Sequence, residues 1–217
     1  MTIDIRQVSH PEAVKGFDTA ELRRHFLIET LFVAGEVRLT YSHLDRVIVG
    51  GAMPTGKAVV LPTPKAVGTD AFLKRRELGI VNVGGPGKVS VGGKDYALAK
   101  RDALYIGKEA GEVSFASDDA ANPAKFYLLS TPAHAVHPTR VIREADAKTL
   151  ALGEQATANK RVIRQYIIPG VCETCQLVMG VTTLEEGSIW NTMPSHVHDR
   201  RCEIYLYFDV PAEARVF

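Results

Sequence analysis

The chain has 217 residues, of which 46% are hydrophobic and 24% charged, and its formal net charge at neutral pH is +1. This balance argues against nucleic acid or an anionic membrane surface as a partner. The N-terminus lacks a basic region followed by an apolar run, and no segment approaches the roughly 18 uninterrupted apolar residues of a membrane span. We therefore expect a cytoplasmic protein that binds neither nucleic acid nor membrane.

Residues 1–28 are predicted to form an N-terminal appendage with one short helix. Asp18 is a good N-cap residue, and Glu21 lies in the first turn, where the helix dipole favours a negative charge. We expect this helix to run to Leu27 and to pack on a sheet or on a neighbouring subunit.

From residue 29 the chain consists of short β-branched and apolar segments separated by glycine and proline turns. The clearest hairpin joins 87–91 to 94–98 through Gly92-Gly93, because two glycines supply the positive φ angles of a two-residue turn. Many short strands with such punctuation indicate an all-β sandwich or barrel. The predicted strands are 30–33, 36–41, 46–52, 58–61, 78–84, 87–91, 94–98, 103–106, 112–116 and 125–130.

A second β series follows an extended, proline-containing connector at 131–161. Its predicted strands are 160–168, 175–183, 188–193 and 203–209. The repeated order predicts a first β domain at 29–145 and a second at 146–217.

Three cysteines, Cys172, Cys175 and Cys202, form an odd and sparse set that does not resemble a secreted disulfide framework. The spacing of Cys172 and Cys175 matches C-x2-C, but both flanks are strand-like. Thiols three apart on a strand point to opposite faces. We therefore interpret Cys172 and Cys175 as two small buried residues and not as a redox or metal site.

The last part of the chain carries the pattern H-x-H-x4-E in His196, His198 and Glu203. Histidines two apart on a β segment share a face, and the glutamate can return to that face across a bend. Two imidazoles and one carboxylate suit zinc, manganese, iron(II) or nickel, and leave open the positions that a catalytic site needs. The pattern resembles the first metal motif of the cupin barrels.

The first β domain also resembles a cupin, but it carries no H-x-H pair and is expected to hold no metal. At the corresponding place it has Lys74-Arg-Arg-Glu77. We expect this charged run to be a solvated corner or a set of interface salt bridges.

Seven separated motifs resemble, in order, those of the 5-dehydro-4-deoxy-D-glucuronate isomerase family, also called 4-deoxy-L-threo-5-hexosulose-uronate ketol-isomerases. The resemblance extends from about residue 18 to the end of the chain. The motifs are Tyr41-Ser-His-Leu-Asp-Arg46 with Val49-Gly-Gly51, Arg75-Arg-Glu-Leu-Gly79, Arg101-Asp-Ala-Leu-Tyr105, Pro123-Ala-Lys-Phe-Tyr127, Pro132-Ala-His134, Glu173-Thr-Cys-Gln-Leu177 and Trp190-Asn-Thr-Met-Pro-Ser-His-Val-His-Asp-Arg-Arg201.

The resemblance implies a subunit of two cupin-type (double-stranded β-helix, or jelly-roll) barrels, one Zn2+ per subunit in the C-terminal barrel, cytoplasmic location and a homohexamer. His196, His198 and Glu203 match three of the family's zinc ligands. The fourth is a histidine on a later strand, and no histidine follows His198 here. We therefore expect a C-terminally truncated chain with an incomplete second barrel.

The implied reaction converts 5-dehydro-4-deoxy-D-glucuronate to 3-deoxy-D-glycero-2,5-hexodiulosonate in the breakdown of pectin and related polyuronides. A divalent ion would polarise the substrate carbonyl and acidify the neighbouring C–H. The sequence does not identify the proton-shuttling base. Tyr205, on the face of Glu203, is a candidate donor to a substrate oxygen. Candidates for binding the substrate carboxylate are Arg161, Arg164, Arg200 and Arg201.

Two other functions remain open from the sequence. An iron(II) cupin oxygenase would use the same ligands, and metal identity and oxygen dependence separate it from an isomerase. A non-catalytic sugar-binding protein with two cupin barrels is the other alternative, and the missing fourth ligand makes it less remote than it would otherwise be.

Overall fold

The computed structural model describes residues 3–192 and 196–216. In these residues β-strands predominate, and no helix is long and apolar enough to cross a membrane. The helices are α1 (Pro11–Val14) and α2 (Thr19–Phe26). The strands are β1 (Asp4–Arg6), β2 (Glu36–Ser42), β3 (Ile48–Met53), β4 (Val59–Val60), β5 (Arg76–Asn82), β6 (Gly87–Val91), β7 (Lys94–Leu98), β8 (Ala103–Ile106), β9 (Val113–Ser117), β10 (Phe126–Pro132), β11 (Arg140–Ile142), β12 (Lys148–Leu152), β13 (Arg161–Ile167) and β14 (Met179–Leu184).

The first domain is a barrel of two sheets that enclose one core. Seven strands form one sheet in the order β1-β2-β3-β10-β5-β8-β11, and four form the other in the order β4-β9-β6-β7. Ile80 and Leu104 from the larger sheet lie in one apolar cluster with Val89 and Phe115 from the smaller sheet. This arrangement is the cupin-type fold that the sequence predicts.

Local signals in the N-terminal half are confirmed. The Asp18 side chain accepts a hydrogen bond from the Glu21 amide, and the Glu21 carboxylate accepts one from the Asp18 amide, so α2 starts with a capping box. Strands β6 and β7 have the predicted bounds, and Gly92 and Gly93 both have positive φ angles.

Strands β13 and β14 of the second β series form a three-stranded sheet with β12, which lies in the segment predicted as a connector, and this sheet packs on the outer face of the seven-stranded sheet. Tyr166, Ile167 and Met179 from this part lie in one core cluster with Val81 and Tyr105 from the barrel. The seven-stranded sheet therefore has apolar contacts on both faces.

Several predicted strands are wrong. No strand forms at 30–33 or 203–209, none forms within the described residues of 188–193, and the strand predicted at 175–183 begins only at Met179. Residues 201–208 still alternate between exposed and half-buried. A β ladder needs hydrogen bonds to a neighbouring strand, and in the described residues this segment has no strand partner.

The prediction of an exposed corner at residues 74–77 is wrong for its last two members. Arg76 is buried and donates hydrogen bonds to Ser130 and to the Arg46 carbonyl. Burial lowers the pKa of Arg76 to about 10, and its guanidinium remains charged at neutral pH. Glu77 is completely buried on β5.

Glu77 joins the barrel to the chain that leads into β14. Its carboxylate accepts hydrogen bonds from the backbone amides of Cys175, Gln176 and Leu177 at 2.8, 2.8 and 2.9 Å. It also accepts hydrogen bonds from the Tyr105 hydroxyl at 2.8 Å and from the Thr131 hydroxyl at 3.0 Å. The Glu77 carboxylate is therefore fully hydrogen-bonded although its side chain is completely buried.

Candidate metal centre and adjoining cleft

The segment after residue 200 presents two different sides. Ile204, Leu206 and Phe208 pack against the second core cluster. Glu203 and Tyr205 lie on the other, exposed side. The alternation predicted for an extended chain therefore places the Glu203 carboxylate and the Tyr205 hydroxyl on one face, as the sequence indicates.

Pairwise contacts link five side chains around Glu203, and we call them the Glu203 cluster: His196, His198, Arg201, Glu203 and Tyr205. The rings of His196 and His198 meet edge to face with centroids 4.8 Å apart. His198 Nε2 lies 3.2 Å from Glu203 Oε1. Tyr205 donates its hydroxyl proton to Glu203 Oε2 at 2.8 Å. His198 thus lies next to both other predicted ligands, His196 on one side and Glu203 on the other.

Arg201 lies between two of the predicted ligands. Its Nη2 is 2.6 Å from Glu203 Oε1 and 2.9 Å from His198 Nε2, and its Nε donates to Glu203 Oε1 at 2.9 Å. The guanidinium thus contacts the imidazole nitrogen and the carboxylate oxygen that face each other.

The pKa of Glu203 is lowered. Partial burial opposes this shift, but the hydrogen bonds from Tyr205 and Arg201 and the positive charge of Arg201 outweigh it. The hydrogen bond to Glu203 raises the pKa of Tyr205, with partial burial adding to the effect. At neutral pH the cluster therefore contains a carboxylate and a protonated phenol, which makes Tyr205 a proton donor and not a base.

The donor types of the cluster fit a borderline divalent ion, since imidazole nitrogen and carboxylate oxygen are the usual zinc ligands outside thiolate sites. Within the residues that the structure describes, however, no group of three or more His, Cys, Asp or Glu side chains has an arrangement that could hold a metal ion. Two of the predicted ligands, His198 and Glu203, lie 3.2 Å apart, and the Arg201 guanidinium contacts both.

A cleft of about 430 Å³ adjoins the cluster, and His196 forms part of its wall. Its volume falls in the range of small-molecule sites. The cleft is lined by Asn159, Arg161, Ile163, Trp190, Asn191, Thr192 and His196. One predicted metal ligand and one predicted carboxylate-binding arginine therefore share a single cleft.

Strand β13 positions Arg161 in this cleft, together with Ile163 two residues later. Arg161 Nη1 donates to the Asn159 carbonyl at 2.9 Å. Its Nε is buried and has no hydrogen-bond partner in the described part of the chain. Because buried N–H groups normally have partners, this donor is suited to an anionic ligand.

Trp190 forms another wall of the cleft, where its indole donates to the Thr157 carbonyl at 3.0 Å. We did not predict a role for it from the sequence. The sequence feature that could have indicated a role for Trp190 is its position in the last family-like motif, six residues before His196. That the cleft also includes Asn159 depends on tertiary folding.

The other predicted arginines are placed differently. Arg164 lies on the opposite face of β13 from Arg161 and Ile163, because side chains alternate along a strand. Its Nε is 3.1 Å from Glu144 Oε1. This ion pair favours a structural role. Arg200 is exposed and has no side-chain hydrogen bond within the described residues.

A larger cleft, of about 620 Å³, lies between α2 and strands β1 and β2. It contains four arginines, but each pairs with a carboxylate; Arg6 with Asp4 and Arg38 with Glu36, both at 2.8 Å, are examples. Because it contains none of the predicted ligands, we place the candidate site at the Glu203 cluster.

The family model and the similar proteins that match this chain point to the same family. The KduI/IolB family model matches residues 26–210. A 4-deoxy-L-threo-5-hexosulose-uronate ketol-isomerase of Yersinia pseudotuberculosis serotype O:1b (strain IP 31758) is 51% identical over 217 residues, covering 99% of this chain and 78% of that protein. The protein of the same name from Yersinia pestis (strain Pestoides F) matches with the same identity and coverage.

Solved structures give weaker matches. An IolB-like protein from Salmonella typhimurium LT2 superimposes with a TM-score of 0.42 and 15% identity over 55% of this chain and 43% of that chain. A cupin protein from Bacteroides fragilis gives a TM-score of 0.29 and 18% identity over 42% of this chain and 69% of that chain.

Proposed function

The chain belongs to the KduI/IolB family, and on this basis we propose that it is a zinc-dependent aldose–ketose isomerase acting on 5-dehydro-4-deoxy-D-glucuronate. Its curated relatives carry the name of a ketol-isomerase, so the enzyme class follows from the family. The substrate, its product 3-deoxy-D-glycero-2,5-hexodiulosonate, the zinc ion and a role in polyuronide breakdown are the proposal.

The observation that carries this proposal is the contact between the Glu203 cluster and the cleft. His196 belongs to both, so a molecule bound in the cleft lies beside the predicted ligands. An isomerase for a keto-uronate needs these two parts together: a group that binds the carboxylate, and an electrophilic centre at the reacting carbons.

His196, His198 and Glu203 would hold the ion. When bound, a divalent ion would supply Lewis-acid polarisation of the substrate carbonyl and its neighbouring hydroxyl. Tyr205 holds its proton against Glu203 Oε2 and orients that carboxylate. Such outer hydrogen bonds fix a ligand's position.

Arg161 would bind the substrate carboxylate through its buried Nε and its remaining N–H groups. Trp190 offers an apolar wall against which the C–H face of a sugar can pack. The side chains of Asn159 and Asn191 carry donors and acceptors suited to hydroxyl groups. The cleft therefore combines the features that a small, anionic, hydroxylated ligand requires.

Site variants test the proposal in an isomerase assay on the keto-uronate, with bound zinc measured by elemental analysis. We expect His198→Ala to lose bound zinc and to reduce turnover at least about a hundredfold, the order of loss expected when a centre that stabilises developing charge is removed. His134→Ala, in the connector, should retain bound zinc and normal turnover. Wild-type protein that holds stoichiometric zinc but shows no turnover, with His196→Ala changing only sugar affinity, would favour a non-catalytic sugar-binding protein. Activity that required iron(II) and oxygen would favour an oxygenase.

A further inference from the structure

Arg201 occupies the lone pairs that two predicted ligands would offer to an ion. Glu203 Oε1 and His198 Nε2 face each other at 3.2 Å, and Arg201 Nη2 is within hydrogen-bond distance of both. Arg201 Nε adds a second bond to the same carboxylate oxygen. The guanidinium therefore supplies positive charge and hydrogen bonds at the place where the two ligands converge.

We propose that Arg201 is an internal cation that holds the ligand side chains together in the metal-free protein and competes with the metal for them. This inference rests on the proposed function, because it assumes that His198 and Glu203 are ligands. It adds a consequence: when an ion binds, Arg201 must leave Glu203, and its guanidinium becomes available to an anionic ligand.

The chemistry of arginine suits this role. A guanidinium remains charged at every physiological pH and donates in a planar fork that matches a carboxylate. Without Arg201, the negative charge of the Glu203 carboxylate would face His198 with no permanently charged cation in contact with it. With Arg201 in place, the metal-free cluster contains a satisfied ion pair, which keeps the ligands on one face before an ion arrives.

The contact is also weak enough to be displaced. The side chains of Arg201, Glu203 and His198 retain 36%, 32% and 27% of their exposure. Ion pairs this accessible to water contribute little net free energy, because solvent screens them. A divalent ion with strong ligand bonds would therefore replace Arg201, with only a modest loss of apparent affinity.

A purely structural role for Arg201 predicts the opposite effect. If the arginine only oriented Glu203 for the metal, then removing it would weaken metal binding. If the arginine competes with the metal, then removing it strengthens binding. The sign of the change in zinc affinity separates the two.

The experiment measures zinc affinity without substrate, by competition with a chromophoric chelator, in wild-type protein, Arg201→Gln, Arg201→Lys and the neighbouring control Arg200→Gln. We expect Arg201→Gln to bind zinc about twofold to fivefold more tightly, as expected for removal of an exposed ion pair that competes with the ion. Arg201→Lys should lie between Arg201→Gln and wild type, because an ammonium lacks the fork. Arg200→Gln should match wild type.

Unchanged or weaker zinc binding by Arg201→Gln, with normal binding by wild type, would overturn the competition and leave the proposed function intact. Failure of folded wild-type protein to bind zinc at all would overturn both. Thermal unfolding of each metal-free variant establishes that it is folded. All substitutions lie on exposed side chains, so we expect every variant to fold.

A second measurement follows the release of the guanidinium directly. Phenylglyoxal modifies accessible arginines, and tandem mass spectrometry separates Arg201 from Arg200. We expect zinc to increase the modification rate of Arg201 severalfold and to leave Arg200 unchanged. Equal rates for Arg201 with and without bound zinc would contradict the release.

Discussion

Two charged side chains of the candidate site differ in how their charge is balanced. The Glu203 carboxylate is matched by Arg201 and by the hydroxyl of Tyr205. Arg161, by contrast, donates to one carbonyl and keeps a buried Nε without a partner among the described residues. Arg161 is therefore the side chain with unused capacity for a carboxylate.

We predict that Arg161→Met raises KM for the keto-uronate about tenfold to a hundredfold with a smaller change in kcat. A hydrogen bond to a charged group is worth about 1.5–3 kcal/mol, and this one binds a part of the substrate away from the reacting carbons. Steady-state kinetics measures the effect, with Arg24→Met, on an exposed side chain of α2, as the control. An unchanged KM would remove Arg161 from the substrate site.

The cysteines give a second prediction at this scale. Burial raises the pKa of Cys172 to about 11, and burial together with a hydrogen bond to Asp45 raises the pKa of Cys202 to about 11. Both thiols are therefore protonated below that pH and gain reactivity only as pH rises toward it. Since the thiolate is the reactive form, alkylation at pH 8 should be about a hundredfold slower than for a free cysteine.

Alkylation is followed by mass spectrometry of the modified peptides, and the same protein unfolded in guanidinium provides the reference rate. Rapid modification of either cysteine in the folded protein would contradict the assignment. Rapid modification of Cys172 would also support a redox role for the C-x2-C pattern.

At the scale of elements, prediction succeeded where the signals were local. The hairpin of β6 and β7 has its predicted bounds because Gly92 and Gly93 determine the turn. Residues 203–209 have an equally strand-like composition, yet they form no strand. A strand depends on a partner, and the identity of that partner is not encoded in the segment itself.

The candidate site also combines features that local sequence spacing indicates with features that depend on tertiary contacts. Sequence spacing alone indicated that His196, His198 and Glu203 would meet. It did not indicate that Arg201 would lie between two of them, because four arginines were equivalent candidates for binding an anion. The cleft also depends on the fold bringing Arg161 and Trp190 to its lining, although they are 29 residues apart in sequence.

Glu77 is the clearest non-local feature, since it binds amides almost 100 residues later in the chain. We predict that Glu77→Ala lowers the free energy of unfolding by about 3–5 kcal/mol, because it leaves buried donors without an acceptor. Urea denaturation measures this loss. Glu112→Ala, on an exposed residue, should change stability by less than about 0.5 kcal/mol. A loss for Glu77→Ala as small as that of the control would contradict the role of Glu77.

Gly79 marks a close approach of the second β series to the barrel. A Cβ at this position would lie 2.2 Å from Met179 Sδ and 2.7 Å from Leu177 Cδ2. We predict that Gly79→Ala costs about 1–3 kcal/mol through overpacking, measured by thermal and urea unfolding. Gly16→Ala, where the nearest atom is the Ala13 carbonyl oxygen at 3.7 Å, is the matched control. Equal stability of the two variants would show that this packing relaxes freely.

At the scale of the whole molecule, the barrel supports the candidate site without contributing a predicted ligand. Its seven-stranded sheet holds one apolar core on the inside and a second on the outside, and the second core anchors Ile204, Leu206 and Phe208 beside the site. Substitutions that destabilise the barrel should therefore lower activity by reducing the amount of folded protein. The homohexamer and the cytoplasmic location stay predictions, and light scattering after size-exclusion chromatography tests the former.

The central claim is that His196, His198 and Glu203 form a metal centre that isomerises a keto-uronate. The most direct measurement titrates metal-free protein with zinc while following turnover of 5-dehydro-4-deoxy-D-glucuronate. We predict negligible turnover without metal, and a rise that ends near one equivalent of zinc per chain. Full turnover by the metal-free protein would contradict the claim.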